Sequence, residues 1–124
     1  MQDYDSAEAA LHRHLRGKDR VDATFSIENA MTVNAYKILR KLKVEVPGSV
    51  ALVGYDDFEL AESLEPPITV VRQPVAGIAT RAAERLFEAL KSGEEKPQTV
   101  TLKVELVHRK SGGKLQGAHK RKAR

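Results

Sequence analysis

Three short polar stretches, each directly behind an apolar run, carry residue types suited to binding a small molecule. They are Glu28-Asn29, Tyr55-Asp56-Asp57 and Arg72-Gln73. In an open α/β sheet, ligands bind in the crevice at the carboxyl ends of the strands. Carboxylates and amides at such an edge can hydrogen-bond a hydroxylated or amine-bearing ligand. The alternative interpretation is that these are ordinary loop residues, with Asp56 or Asp57 capping a short helix behind them.

The two adjacent aspartates also suggest a different chemistry. Paired carboxylates at a strand end can hold Mg²⁺, as in a phosphoacceptor site. Neighbouring residues at a strand end tend to diverge, however, and no Lys, Ser or Thr at an obvious strand end completes such a site. Gly54 has no second glycine at phosphate-loop spacing, which leaves a nucleotide cradle unsupported.

Other catalytic or metal-binding arrangements are not visible in the sequence. There is no cysteine, and the four histidines (His12, His14, His108 and His119) do not converge. Ser26 lies within a predicted strand and not at the sharp turn that a hydrolase nucleophile needs. We therefore expect no metal, no cofactor and no enzymatic activity.

The elements that position the polar stretches follow from hydrophobic periodicity. An apolar run at 50–54 is typical of a strand buried on both faces of a parallel sheet. With the strand and helix before it, this run predicts a right-handed βαβ unit. The fold class is therefore α/β, with a partly parallel open sheet flanked by helices. The predicted helices are 6–16, about 31–42, 59–64 and 74–91, and the predicted strands are 21–27, 50–54, 68–71 and 100–107.

Two helices have apolar stripes that predict their buried faces. The stripe of the second helix is formed by Met31, Ala35, Ile38, Leu39 and Leu42. The stripe of the helix at 74–91 is formed by Val75, Ile78, Ala79, Ala82, Leu86 and Leu90.

The net charge of +4 is unevenly distributed. Residues 1–108 carry 14 basic and 17 acidic side chains, a net −3, whereas residues 109–124 carry seven basic and no acidic side chains. This distribution of charge does not favour a folded domain that binds nucleic acid through a basic face. The end of the chain is predicted to be disordered, with non-specific nucleic-acid binding by phosphate neutralisation as the alternative. No run reaches the roughly 18 apolar residues of a membrane span, and no secretory signal is visible, so we expect a cytoplasmic protein.

Four segments in register resemble one known family. They are Asp22–Ala35, Lys43–Asp57 with its Val-Gly-Tyr-Asp-Asp ending, Pro66–Pro74, and Leu106–Ser111. Together they resemble the C-terminal part of the effector-binding domain of lactose/galactose-repressor-type transcription regulators, over residues 4–111. The resemblance implies one partial lobe of a periplasmic-binding-protein-like type I fold.

The resemblance also implies the organisation and function of the chain. Residues 1–110 would be a partial sensor domain, the helix at 74–91 would belong to the other lobe, and 111–124 would be a basic tail. The implied function is effector sensing and dimerisation, with DNA bound only through a headpiece that lies outside this chain. A fragment of a periplasmic-type solute-binding protein is the alternative, and a phosphoacceptor or enzyme domain the third. Without its partner strands the chain should expose apolar surface, and it should either dimerise or behave poorly as a monomer.

Site residues are carried over position by position. Asp56 corresponds to the aspartate that contacts the effector, a sugar or a nucleobase, and Gln73 corresponds to the glutamine that lines the cleft and hinge in the family. Glu28 and Asn29 replace the family's Asn-Asp pair; because a carboxylate only accepts hydrogen bonds, Glu28 favours a ligand with more donors or a cation. The implied dimer surface consists of Val33, Tyr36, Lys37, Leu60 and Leu64.

Overall fold

The computed structural model describes residues 4–18, 20–93 and 97–114. It contains three α-helices, four strands and one short 3₁₀ helix. The helices are α1 (Tyr4–His14), α2 (Asn29–Lys41) and α3 (Val75–Ser92); the strands are β1 (Ala23–Ser26), β2 (Ala51–Tyr55), β3 (Thr69–Arg72) and β4 (Glu105–Val107); the 3₁₀ helix is Lys110–Gly112. No helix in this part of the chain is long and apolar enough to cross a membrane.

The strands form one sheet in the order β1-β2-β3-β4. β1, β2 and β3 are parallel, with Phe25 opposite Val53 and Val53 opposite Thr69. β4 is antiparallel to β3, with Arg72 opposite Glu105. The predicted partly parallel α/β sheet is confirmed. Because the three parallel strands run the same way, their carboxyl ends share one edge, and this edge carries all three polar stretches.

The core lies between α2 and the sheet. α2 packs on β1 and β2, α1 packs on α2, and the 3₁₀ helix packs against β2 and β3. The buried side chains of α2 are Thr32, Ala35, Tyr36, Ile38 and Leu39. The predicted stripe is therefore only partly right. Met31 and Leu42 are half-buried, whereas Thr32 and Tyr36, which were not assigned to the stripe, are buried.

Gly54 marks the closest approach of α2 to the sheet. A Cβ at this position would lie 2.6 Å from Thr32 Oγ1. Thr32 cannot easily move away, because its hydroxyl donates to the Glu28 carbonyl at 3.0 Å and bonds to Ser26 Oγ at 2.6 Å. The glycine before the Tyr-Asp-Asp stretch is thus required by packing.

Gly54→Ala is expected to lower the free energy of unfolding by about 1–3 kcal/mol, the usual cost of overpacking a core. Gly77→Ala is the control, because a Cβ there meets Leu102 Cδ1 at an ordinary 3.6 Å and alanine favours the helix. Urea unfolding of both variants measures the difference. Equal stability of the two variants would contradict the close approach.

One predicted element is absent and another is shorter than predicted. Residues 59–64 form turns and not a helix, with Ala61 N donating to the Phe58 carbonyl at 2.9 Å. The strand predicted at 100–107 is limited to Glu105–Val107, because β3 offers pairing partners only there. The residues before β4 instead lie along α3, where Leu102 approaches Gly77.

The stripe predicted to be buried on α3 is not buried within the described residues. α3 contacts no other helix or strand there, and none of its residues is buried. Leu86 and Leu90 are 58% and 70% exposed. The exposed apolar side chains of α3 agree with the expectation that the chain exposes apolar surface.

The predicted tail begins too early. Ser111 is fully buried, and its amide donates to the Pro67 carbonyl at 3.0 Å. The folded body therefore continues through the 3₁₀ helix, because a serine hydroxyl fills a polar gap between β2 and β3. Residues 115–124 lie outside the described residues.

Candidate ligand-binding cleft

A polar cleft of about 470 Å³ opens at the carboxyl ends of the parallel strands. Its lining comes from the ends of β2 and β3 and the first residues of α2 and α3. The lining residues are Asn29, Asp56, Asp57, Arg72, Gln73 and Val75. Three of the four predicted ligand-binding residues, Asn29, Asp56 and Gln73, therefore lie together.

Asp56 is fixed in an unusual backbone conformation. Its φ of 72° is in the left-handed region, which aspartate tolerates better than most residues. Its amide donates to the Val71 carbonyl at 2.9 Å, and one carboxylate oxygen, Oδ1, accepts a hydrogen bond from Gln73 Nε2. The other carboxylate oxygen has no partner among the described residues, so Asp56 retains acceptor capacity toward the cleft.

Asp57 is saturated by protein donors. Its Oδ1 accepts from the Phe58 amide and from Arg109 Nη1, both at 3.0 Å. Its Oδ2 accepts from Arg109 Nη2 and Arg72 Nε, both at 3.0 Å, and from Arg72 Nη2. A carboxylate offers about four lone-pair sites, so no capacity is left for a ligand. Asp57 therefore joins the ends of β2 and β3 to the segment after β4.

The ion pairs of Asp57 change its titration. Hydrogen bonds from Arg109 are the largest cause, and those from Arg72 add to it, so the pKa of Asp57 falls from 3.8 to about 2 despite the opposing effect of burial. The side chains of Asp57 and Arg109 are only 15% and 13% exposed. A carboxylate held this way stays ionised and cannot act as a proton donor near neutral pH.

Glu28 and Asn29 are adjacent in sequence but take different positions relative to the cleft. Asn29 begins α2, and its Oδ1 is buried without a hydrogen-bond partner among the described residues. Glu28 precedes the helix in an extended conformation, and its side chain is exposed and makes no capping bond. Glu28 does not line the cleft, so this predicted ligand residue stands apart from the other three.

The arrangement does not favour the magnesium interpretation of Asp56 and Asp57. Asp57 is occupied by two arginines, and Asp56 bonds Gln73. No group of three His, Asp or Glu side chains in the described ranges is placed to hold a metal ion. What remains available at the cleft is hydrogen bonding to an uncharged or donor-bearing ligand.

A buried hydrogen-bond network joins the 3₁₀ helix and the segment before it to β2 and β3. Ser111 Oγ donates to the Leu52 carbonyl at 2.6 Å and accepts from the Thr69 amide at 2.8 Å. Thr69 Oγ1 donates to the Arg109 carbonyl at 2.7 Å and accepts from the Gly112 amide at 3.0 Å. The roles of Thr69, Arg109 and Ser111 were not predicted. The sequence signal that could have indicated these roles is the Arg-Lys-Ser segment after the last strand, which is part of the family resemblance.

The residues of the implied dimer surface differ in exposure. Lys37 and Leu60 are exposed, whereas Val33 and Leu64 are half-buried, with Leu64 packed against the core. Tyr36 was expected to be exposed and is instead buried, with its hydroxyl donating to the Glu65 carbonyl at 3.0 Å. The ring fills the space between α2 and the 58–65 turns, which removes Tyr36 from any outer surface.

The family model of the periplasmic binding protein-like domain matches residues 1–112. The chain belongs to this family. The resemblance to lactose/galactose-repressor-type regulators is also confirmed by curated relatives. The transcriptional regulator CelR of Thermobifida fusca is 37% identical over 109 residues, covering 88% of this chain and 32% of the relative. The HTH-type transcriptional repressor PurR of Vibrio vulnificus is 31% identical, covering 90% of this chain and 33% of the relative.

Solved structures of transcriptional regulators agree with this assignment. A CelR–cellobiose complex has a TM-score of 0.75 at 37% identity, covering 88% of this chain and 33% of that one. A LacI-family regulator from Sanguibacter keddieii has a TM-score of 0.78 at 31% identity, covering 92% and 44%. A LacI-family regulator from Lactobacillus casei with bound sucrose has a TM-score of 0.70 at 29% identity, covering 89% and 41%. The chain thus spans about a third of the curated relatives it matches.

Proposed function

We propose that this chain is the effector-sensing part of a LacI-type transcription regulator and supplies one wall of the effector site. In the complete regulator, the effector would control DNA binding by a separate headpiece, in the cytoplasm and without enzymatic chemistry. The observation that carries the proposal is the cleft itself, in which Asp56, Gln73 and Asn29 present polar groups at one edge of the sheet.

The chemistry of this wall suits a hydroxylated ligand. The free carboxylate oxygen of Asp56 is an acceptor. A hydroxyl that donates to Asp56 makes a charge-assisted bond, the stronger kind of hydrogen bond. The sugars in the solved relatives, cellobiose and sucrose, are ligands of this chemistry and support a carbohydrate as the effector class here.

Asp56→Asn is expected to weaken sugar binding at least tenfold, because a hydrogen bond to a charged group contributes about 1.5–3 kcal/mol. The measurement is the Kd for cellobiose, sucrose and glucose from chemical-shift titration of the ¹⁵N-labelled chain, which detects millimolar binding. Asp22→Asn, an exposed aspartate before β1, is the matched control. Unchanged binding by Asp56→Asn would contradict the proposal.

We also propose that the chain dimerises through the outer side of α2 and the turns beside it. Val33 and Lys37 are one helical turn apart on α2, and Leu60 is 63% exposed on the adjacent turn segment. Tyr36 and Ala61 share the core cluster, which sets the two segments side by side. Tyr36 would support this surface from beneath and would not touch the partner.

Leu60→Glu is expected to raise the dimer dissociation constant at least tenfold, because it places a charge in an apolar contact. Sedimentation velocity over a range of concentrations measures this. Leu90→Glu on α3 is the control, since Leu90 is equally apolar and 70% exposed but lies on a separate element. Dissociation by Leu90→Glu alone would place the interface on α3 and overturn the proposed surface.

A further inference from the structure

We propose that Arg72 reads an acceptor oxygen of the ligand in this cleft and that Asp57 is its positioning residue. The inference rests on the proposed function, because it concerns the same cleft. Arg72 is the last residue of β3 and lines the cleft between Asp57 and Gln73. Its side chain is 46% exposed, so it is accessible to a ligand.

The donors of Arg72 are only partly used by the protein. Of the five guanidinium N–H groups, one on Nε and one on Nη2 donate to Asp57 Oδ2, and one on Nη1 reaches Glu105 Oε2 at 3.5 Å. Two N–H groups, one on each terminal nitrogen, are left without a partner among the described residues. Arg72 therefore combines a fixed position with free donor capacity.

The free acceptor of Asp56 calls for such a complement. Asp56 offers a carboxylate oxygen without a partner among the described residues, and a carboxylate only accepts hydrogen bonds. A sugar hydroxyl both donates and accepts. A hydroxyl that donates to Asp56 leaves the neighbouring ligand oxygens in need of a donor, which Arg72 supplies.

The surrounding charges determine which kind of oxygen suits Arg72. Asp57 and Glu105 face the guanidinium, and Arg109 shares Asp57, so these four groups sum to zero. Asp56 adds a negative charge to the same cleft, with neutral Gln73 as its hydrogen-bond partner. An anionic ligand would be repelled by Asp56, and we infer that Arg72 reads a neutral hydroxyl oxygen.

Asp57 cannot hydrogen-bond the ligand itself, because protein donors occupy both of its oxygens. Its contribution is to hold the guanidinium by two N–H groups and so limit its rotamers. A residue acting in this way should affect only the ligand group that Arg72 reads.

The experiment uses the sugar that binds most tightly among cellobiose, sucrose and glucose, and then its monodeoxy and deoxyfluoro analogues. Deoxygenation removes donor and acceptor, whereas fluorine retains an acceptor only. For the wild-type chain we expect a position where deoxygenation weakens binding about tenfold and fluorine does so less than threefold, as a charged donor requires. A second position, read by Asp56, should lose about tenfold with either analogue.

Four variants identify the reading residue. Arg72→Met should abolish the deoxygenation penalty at the first position only, Arg72→Lys should restore part of it, and Asp57→Asn should reduce it. Arg81→Met is the control, because Arg81 is exposed on α3 and pairs with Glu84 outside the cleft. Amide spectra of each variant verify the fold.

The outcomes separate this inference from the proposed function. If Arg72→Met leaves every analogue penalty unchanged while Asp56→Asn abolishes binding, the role of Arg72 is overturned and the effector site stands. An anionic analogue that binds more tightly than the neutral sugar would overturn the choice of a neutral oxygen. If the wild-type chain binds none of the three sugars, both proposals fail.

Discussion

Asp57→Asn is expected to lower the free energy of unfolding by about 2 kcal/mol at pH 7. The amide would leave Arg109, only 13% exposed, beside Arg72 without an anion between them. Removing one partner of a largely buried ion pair costs about 3–5 kcal/mol, and the access of Arg72 to solvent reduces that figure here. The exposed position of Glu59 makes Glu59→Gln the matched control.

The effect of Asp57→Asn should depend on pH in a defined direction. The pKa of Asp57 is lowered in the folded state, from 3.8 to about 2. Its ionised form therefore contributes stability that is fully present above about pH 4 and is lost as the pH falls through about 2. Wild type and variant should differ at pH 7 and converge near pH 2.

Urea unfolding at pH 7, 5, 4 and 3 measures this convergence, with the slope of the unfolding curve as a check that the denatured state is unchanged. A difference between wild type and Asp57→Asn that is constant over this range would contradict the ion-pair role. If Asp57 acted only through its hydrogen bond to the Phe58 amide, which asparagine can retain, the difference would be close to zero at every pH.

Ser111→Ala is expected to destabilise the chain by about 1–3 kcal/mol. Ser111 is fully buried, and the substitution leaves the Thr69 amide without its acceptor and removes the donor to the Leu52 carbonyl. Leaving a buried polar group unsatisfied costs its full desolvation penalty. The hydroxyl is small, so packing changes little and the hydrogen bonds account for most of the loss.

Thermal and urea unfolding of Ser111→Ala should be compared with those of Ser63→Ala, an exposed serine on the turn segment. Ser63→Ala should change stability by less than about 0.5 kcal/mol, as is usual for surface sites. Native-state hydrogen exchange at the Thr69 amide should accelerate in Ser111→Ala. Wild-type protection of that amide in the variant would show that the serine is not its essential acceptor.

The sequence predicts the βαβ unit well because its signals are local. The apolar run before Gly54 and the helical spacing of Ala35, Ile38 and Leu39 each indicate an element without knowledge of the rest. Parallel strands then place the polar stretches at one edge. The stretches that contain Asn29, Asp56 and Gln73 follow from this rule, and the family resemblance singles out Asp56 and Gln73 within them.

What the sequence could not predict depends on contacts distant along the chain. Asp56 and Asp57 are adjacent, and only the position of Arg109, 52 residues away, shows that Asp57 is the saturated one. The length of β4 is limited by the length of β3. The burial of Tyr36 depends on the turns after Phe58, which the sequence indicated as a helix.

The long amphipathic helix α3 illustrates the limit of periodicity. Its apolar stripe predicts a buried face, but a stripe says nothing about which surface covers it. Within the described residues the nearest chain is the segment before β4, and Leu86 and Leu90 stay exposed. The assignment of α3 to the other lobe of a complete regulator stays a prediction, because α3 contacts no other helix or strand among the described residues.

The proposed function places a sugar at the carboxyl ends of β1, β2 and β3. Amide chemical-shift mapping of the ¹⁵N-labelled chain during titration with cellobiose measures where the sugar binds. We expect the largest shifts at the amides of Asn29, Asp56 and Gln73, together with the Arg72 Nε resonance. Shifts confined to the apolar groove between α1 and α2, near Leu11 and Met31, would contradict it.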